Sequence, residues 1–214
     1  MAITGPSGSG KSTLAKIIAG YETREYEGSI YINGVSYTQK KLEAIRTAVT
    51  LCEQDVKFLP YSIQDNLSLQ NSGKTDDIMA LSKELGIHRT VLKLPKGYDT
   101  VAFSDFTNML SGGQMQLLAL VRVLVKDPYF LVLDEITSAM DFKTEQRALT
   151  VLREYRKGKS IIYITHRITT IQYFKEICVL NEGKLDGFGS HDELLKKSEV
   201  YKGLVDVSTY KANI

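Results

Sequence analysis

The sequence holds only two cysteines, Cys52 and Cys178, far apart in apolar stretches and without a CxxC pair or a neighbouring histidine. That spacing gives no zinc knuckle and reads as two buried, reduced thiols. Charge of one sign is not in excess either. The 27 lysines and arginines stand against 25 acidic residues, a net +2 with no basic block. This balance offers no electrostatic case for nucleic acid or a membrane surface, and no nucleic-acid partner is expected. Long apolar runs are missing too: nothing approaches the roughly 18 residues of a spanning helix, and the opening MAITGPSGSGK has no signal-peptide core. Any membrane role is therefore expected to come through a partner. Internal repeats and low-complexity tracts are also absent.

What is present is the composition of an ordinary folded protein. With 43% hydrophobic and 24% charged residues over 214 positions, the chain can bury a core as one large domain or as a domain with an insertion. MAIT is a short apolar run that breaks into a glycine-rich turn, and KSTLAKIIAG continues apolar at helical spacing as far as Gly20. The reading is strand, loop, helix. GSIYINGVSY and AVTLCEQ read as strands, with a turn at Asn33-Gly34, and some of these strands are expected to be antiparallel. From about Pro60 to Lys126 the patterns DDIMALSKELG, HRTVLKL and GGQMQLLALVRVLVK are helical. After Pro128 strand and helix alternate again, as YFLVLDE, a helix from about Phe142 to Arg156, and SIIYITH. Continuous apolar strands between helices imply a parallel sheet covered on both faces. EICVLNEGKLDGFG reads as a hairpin and HDELLKKSEVYKGLV as terminal helices.

Gly5-Pro6-Ser7-Gly8-Ser9-Gly10-Lys11-Ser12 has the G-x-x-x-x-G-K-[ST] spacing between a strand and a helix, the context this motif needs. Glycines let backbone N–H groups converge on phosphate oxygens, and the helix N-terminus adds partial positive charge. Lys11 supplies a full charge for the β- and γ-phosphates, the Ser12 hydroxyl suits Mg²⁺, and Thr13 completes the binding set. The loop alone says nucleotide, since kinases, GTPases and ATPases share it. Leu131 to Glu135, LVLDE, brings Asp134 and Glu135 to the end of a buried strand, at the sheet edge where ligands of such folds bind. Asp134 is suited to hold Mg²⁺, directly or through water, and Glu135 to orient or deprotonate the water that attacks the γ-phosphate. Without the loop, the same pair reads equally as an acidic cap on the next helix. Leu110-Ser111-Gly112-Gly113-Gln114 opens a helix with a hydroxyl and two bare backbone positions, a second phosphate-binding end or, standing alone, a capping serine with flexible glycines.

In this order the motifs resemble the nucleotide-binding domain of the ABC transporter family. Gln54 in CEQD resembles the Q-loop glutamine, Ser138-Ala139-Met140-Asp141 the D-loop, and His166 in ITHR the switch histidine. The similarity runs from residue 1 to about residue 207, and LPKGYDT (Leu94 to Thr100) with SHDELL (Ser190 to Leu195) resembles the exporters in particular. The resemblance implies an α/β P-loop NTPase core over 1–57 and 127–214, with a mainly parallel sheet and some antiparallel strands, and a helical subdomain carrying LSGGQ over 58–126. It implies an ATPase in which two domains face head to tail around two Mg-ATP. Ser111, Gly112, Gly113 and Gln114 of one domain then meet the nucleotide on the other's phosphate loop, and Asp141 reports across the dimer. Gln54 senses Mg²⁺ and the attacking water, while His166 holds the γ-phosphate and steadies the water with Glu135. His88 and His191 have no such place and read as structural. The implied partners are a second ATPase domain and a transmembrane domain of the same transporter, in the same or a separate chain, at the cytoplasmic face of the plasma (inner) membrane.

The sequence departs from that pattern in three places. Family members carry two further strands before the phosphate loop and an aromatic residue that stacks on adenine, whereas four residues precede Gly5 here, so the strand supporting the loop is expected to be a stub. The chain is read as a piece of a longer polypeptide in preference to a start inside an older gene. Ahead of LSGGQ, Ala102-Phe103-Ser104-Asp105-Phe106-Thr107-Asn108 replaces the usual Gly-Glu-x-Gly, and Met115 stands where a basic residue is common. Two other functions compete with the exporter motor. One is a module that holds nucleotide or dimerises without turnover, favoured by the missing strands and opposed by Asp134, Glu135 and His166. The other is a soluble ABC protein of DNA repair or translation, opposed by LPKGYDT and by the lack of a coiled-coil insertion.

Overall fold

The computed structural model describes residues 1–22, 27–32, 34–37, 42–68, 72–102, 109–155 and 157–212. The strands are β1 (Ala2–Thr4), β2 (Ile30–Ile32), β3 (Val35–Tyr37), β4 (Val49–Cys52), β5 (Phe130–Asp134), β6 (Ser160–Ile164), β7 (Ile177–Asn181) and β8 (Lys184–Gly189). The helices are α1 (Lys11–Ile18), α2 (Leu42–Ala48), α3 (Ile63–Ser68), α4 (Thr75–Leu85), α5 (His88–Leu92), α6 (Gly112–Lys126), α7 (Phe142–Tyr155), α8 (Ile168–Ile171), α9 (His191–Lys197) and α10 (Glu199–Ala212). Two compact units result, one of Met1–Leu51, Phe130–Glu135 and Ile161–Ile214, the other of Cys52–Tyr129 and Ile136–Ser160. No helix among the described residues is long and apolar enough to cross a membrane.

The first unit is built on a mainly parallel sheet in the order β4-β5-β6-β1-β7-β8. Although β1 is only three residues long, it lies inside the sheet and is parallel to both neighbours, with Ala2 opposite Tyr163 of β6 and Ile177 of β7. Antiparallel pairing joins β7 to β8 and, separately, β2 to β3. Alternation along β1 divides its apolar side chains between two cores. Ile3 joins Ala15, Ala19, Ile45, Val49, Val132, Ile162, Ile164 and Leu180, whereas Ala2 joins Ile168, Ile171, Ile177, Val179, Leu194 and Tyr201. The sheet is thus covered on both faces, as its continuous apolar strands imply.

The sequence reading placed no element at α2. This short helix has little intrinsic signal and is held by tertiary contacts: Ile45 is fully buried, and Arg46 Nε donates to the Gly20 carbonyl at 2.8 Å while its guanidinium lies over the Tyr21 ring.

The second unit is helical. α3 and α4 pack on α6, and α4 also meets α7. Among the described residues, an isolated antiparallel bridge pairs Ser62 with Val101 within it. Residues 136–160 group with these helices. Arg147 on α7 joins them, its Nη2 donating to the Lys83 carbonyl at 2.6 Å and its Nε to the Glu84 carbonyl, clasping the end of α4. Lys74 likewise donates to the Val125 carbonyl at 2.5 Å near the end of α6. The departure noted ahead of LSGGQ falls, at 103–108, outside the described residues.

Candidate nucleotide-binding site

The phosphate loop links β1 to α1 in the first unit, and its shape rests on Gly5. Gly5 has φ 150°, and a Cβ there would lie 2.0 Å from the Leu180 carbonyl oxygen and 2.8 Å from Ser9 Oγ. Only a residue without a side chain lets the loop run this close to β7. Ser9 N donates to the Pro6 carbonyl at 3.2 Å, and Gly183 N, in the turn after β7, donates to the Ser9 carbonyl at 3.2 Å. Gly10 caps α1, whose first turn carries no acidic residue to compete with an anion. Ser7, Gly8, Ser12 and Thr13 are exposed. The Lys11 side chain is buried, and its ammonium donates to the carbonyls of Gly5 (3.0 Å) and Pro6 (2.8 Å) and to Ser9 Oγ (3.3 Å). Burial lowers the Lys11 pKa from its ordinary value, while Glu135 and Asp134 act against the shift.

Those two carboxylates end β5. Asp134 is 6% exposed, and Glu135 follows in the left-handed region with φ 49°, its N–H donating to the Ile164 carbonyl of β6 at 3.0 Å. A non-glycine residue held there stores about 1–3 kcal/mol of backbone strain, a feature that clusters at working sites. Thr165 N donates to the Ile3 carbonyl at 3.1 Å and Thr165 Oγ1 accepts from Arg167 N at 3.1 Å, which sets the turn bearing His166. The result is a pair, His166 Nδ1 to Glu135 Oε1 at 3.2 Å, open to solvent on the histidine side. Lys11, Asp134, Glu135 and His166 therefore come together at the ends of β5 and β6 and the start of α1.

The remaining motif residues lie in the helical unit. Ser111 caps α6 in a reciprocal box: its Oγ accepts from Gln114 N at 3.3 Å, and Gln114 Oε1 accepts from Ser111 N at 2.9 Å. Within the chain, then, Ser111 and Gln114 close the helix end, and the first-turn amides of Gly112 and Gly113 have no intrahelical acceptor. A Cβ on Gly113 would lie 2.7 Å from the Ala139 carbonyl, so the D-loop packs directly on the α6 backbone. Asp141 is committed to capping α7, accepting from Thr144 N at 3.0 Å and Thr144 Oγ1 at 2.7 Å, and these bonds, the backbone one foremost, lower its pKa. Thr137 Oγ1 donates to Glu145 Oε1 at 2.8 Å with both side chains buried. Thr137→Val deprives that buried carboxylate of a donor and is expected to cost about 1–3 kcal/mol in a denaturant titration.

Gln54 Nε2 reaches Ser138 Oγ at 3.4 Å. Both line a cleft of about 460 Å³ with Asp55, Val56, Leu110 and Met115. Met115 is 9% exposed, so the position where a basic residue is common carries an apolar side chain turned inward. One polar residue escaped the sequence reading: Gln116, 4% exposed, which accepts from Ala139 N at 3.0 Å and donates to Ser138 Oγ at 3.0 Å. Its signal was lost because a glutamine on an amphipathic helix reads as solvated.

A lysine-bearing glycine loop, a strand-end acidic pair and a parallel sheet define a P-loop nucleotide-binding protein. The family model described as ABC transporter matches residues 1–138. The chain therefore belongs to the ABC transporter family, and the part of that family it matches is the nucleotide-binding domain of exporters. It is 38% identical to the iron-sulfur clusters transporter ABCB7, mitochondrial, of Danio rerio, over 91% of this chain and 26% of that protein. It is 35% identical to the ATP-dependent lipid A-core flippase of Burkholderia pseudomallei, over 95% of this chain and 34% of that protein. Among solved structures, a bacterial Atm1-family ABC exporter with ATP bound matches with a TM-score of 0.87 at 34% identity, over 96% of this chain and 36% of that one. The chain thus spans about a quarter to a third of the length of these relatives.

Proposed function

We propose that this chain binds Mg-ATP and hydrolyses it as the motor domain of an ABC exporter, two such domains meeting head to tail around two nucleotides. The observation that carries the reading is the Glu135–His166 pair at 3.2 Å, presented at the strand ends beside Lys11. A carboxylate able to orient water and a ring able to hydrogen-bond a phosphoryl oxygen stand together where a γ-phosphate on the loop would lie. That the Atm1-family exporter carries ATP supports ATP as the nucleotide.

The residues fit the groups they are assigned. The space about Gly8 is open, with nothing within 4 Å of where a Cβ would stand, and the α1 N-terminus suits an anion. Among the described residues no cluster of three His, Cys, Asp or Glu is placed to hold a metal. A Mg²⁺ that keeps waters takes one or two protein ligands plus phosphate oxygens. Ser12, Asp134 and Gln54 are the residues proposed to hold it, and when bound it supplies neutralisation of phosphoryl charge. Lys11 exchanges its carbonyl partners for the β- and γ-phosphate oxygens. Glu135 positions the attacking water and draws off its proton, and His166 donates to the γ-phosphate. Ser111, Gly112, Gly113 and Gln114 are assigned to the nucleotide held by the partner domain, and Asp141 to contact across the dimer, which requires it to exchange its bonds with Thr144. A transmembrane domain is the proposed second partner, since the relatives are named a transporter and a flippase.

Lys11→Ala tests the binding step. Losing two charge-assisted hydrogen bonds is expected to weaken ATP binding by about 100-fold and to remove Mg²⁺-dependent turnover, read by calorimetry and phosphate release. Turnover at the unaltered rate would rule the reading out.

A further inference from the structure

The hairpin of β7 and β8 touches the phosphate loop in two places. The first is the Leu180 carbonyl against Gly5. The second is Gly183, whose N–H donates to the Ser9 carbonyl at 3.2 Å and whose Cα lies 3.7 Å from where a Cβ on Gly10 would stand. All of these residues belong to the first unit. The turn that carries Gly183 is short. Asn181 pairs with Lys184, so only Glu182 and Gly183 lie between the strands, and their φ values of 48° and 75° are the two positive angles of a type I′ turn. The ordinary hydrogen bond of a β-turn runs between its first and last residues, which leaves the central amides to other partners. Here the second of them finds its acceptor in the phosphate loop.

We infer that the β7–β8 turn is a positioning element of the nucleotide site: Gly183 holds the Ser9 carbonyl, and with it the Ser9–Gly10 peptide plane, so that the Gly10 N–H is aimed at a bound phosphate. The C=O and N–H of one trans peptide point in opposite directions across its plane, and no cis bond occurs among the described residues. Fixing the Ser9 oxygen toward the hairpin therefore fixes the Gly10 hydrogen away from it. Gly10, at φ 95° and without a Cβ, offers little resistance of its own to rotation of that plane, so the hold comes from outside the loop. This rests on the reading of the loop as a phosphate site made above, and it adds a residue from a distant segment of the chain that touches no nucleotide. If the turn served only to close the hairpin, lengthening it would lower stability and leave nucleotide affinity alone.

The test lengthens the turn by two glycines between Asn181 and Glu182 in the full chain, with Gly183→Ala as the companion that keeps the N–H. Nothing lies within 4 Å of a Cβ at residue 183, so alanine there strains the backbone without a clash. ATP affinity, read by calorimetry, is expected to fall about tenfold in the lengthened chain and to stay within about twofold in Gly183→Ala, although both changes lower the midpoint of denaturant unfolding. Without nucleotide, exchange of the Ser9 amide, which is bonded to the Pro6 carbonyl, is expected to quicken about tenfold in the lengthened chain alone. Unchanged ATP affinity in the lengthened chain, or an equal loss in Gly183→Ala, would overturn the inference. Should the lengthened chain fail to fold, glycolic acid in place of Gly183, which exchanges the N–H for an ester oxygen, decides it by the same affinity. No ATP binding by the unaltered chain would defeat the nucleotide reading and this role together, whereas ATP binding by the unaltered chain with Ser9 exchange equally slow in both variants would defeat the positioning role by itself.

Discussion

Glu135→Gln is expected to slow ATP turnover by about 10²–10⁴-fold while ATP affinity stays within about threefold, because a general base contributes to the barrier and little to ground-state binding. Glutamine keeps the length of the side chain and can still bond His166 Nδ1, now at 3.2 Å from the carboxylate, so the strand ends retain their geometry. What it loses is the proton acceptor. The change should appear in kcat and kcat/KM alike, and ATP-bound dimer should accumulate in a sizing experiment because the step that releases it is blocked. A variant that turns over within about tenfold of the unaltered chain would show that Glu135 is not the base.

Gly5→Ala is expected to abolish nucleotide binding and to remove about 3 kcal/mol or more of stability. The new methyl would meet a backbone oxygen, Leu180 O, at 2.0 Å, and a carbonyl in a paired strand cannot swing aside as a flexible side chain can. Either β7 shifts away from β1 or the loop leaves its position, and either displaces Lys11 from the place its proposed phosphate contacts require. Gly8→Ala is the control. Gly8 has φ 77° but nothing within 4 Å of the added carbon, so only the backbone preference, about 1 kcal/mol, is lost. Equal stabilities for the two variants in denaturant titrations would refute the close-contact argument.

The parts of this molecule that were legible in the sequence are those where one local pattern carries the physics. Gly5 to Ser12 is such a case, since glycines, lysine and the flanking apolar periodicities specify strand, loop and helix without reference to anything distant. The β7–β8 hairpin and the α7 helix followed from alternation and amphipathicity in the same way. α2 was not legible, because Ile45 and Arg46 are held by Gly20 and Tyr21, some 25 residues away in the chain. The expected stub at β1 was right in length and incomplete in meaning: three residues suffice because both neighbours pair with them and all three are buried. At the candidate site, Asp134, Glu135 and His166 could be named from strand-end position and motif order. The bond that joins the last two, the capping role of Asp141 and the burial of Gln116 needed the fold, since each depends on residues brought together from separate segments.

The left-handed backbone at Glu135 has one more consequence. Glycine tolerates φ 49° freely, and a chain shaped by folding stability alone would carry glycine at this position. Under the proposed role of Glu135 as general base, the acidic residue there is a local conflict between conformation and chemistry, resolved in favour of chemistry. Stability screens of this domain should therefore enrich changes at residue 135 that are inert as catalysts, so any effort to harden the fold must hold that position fixed.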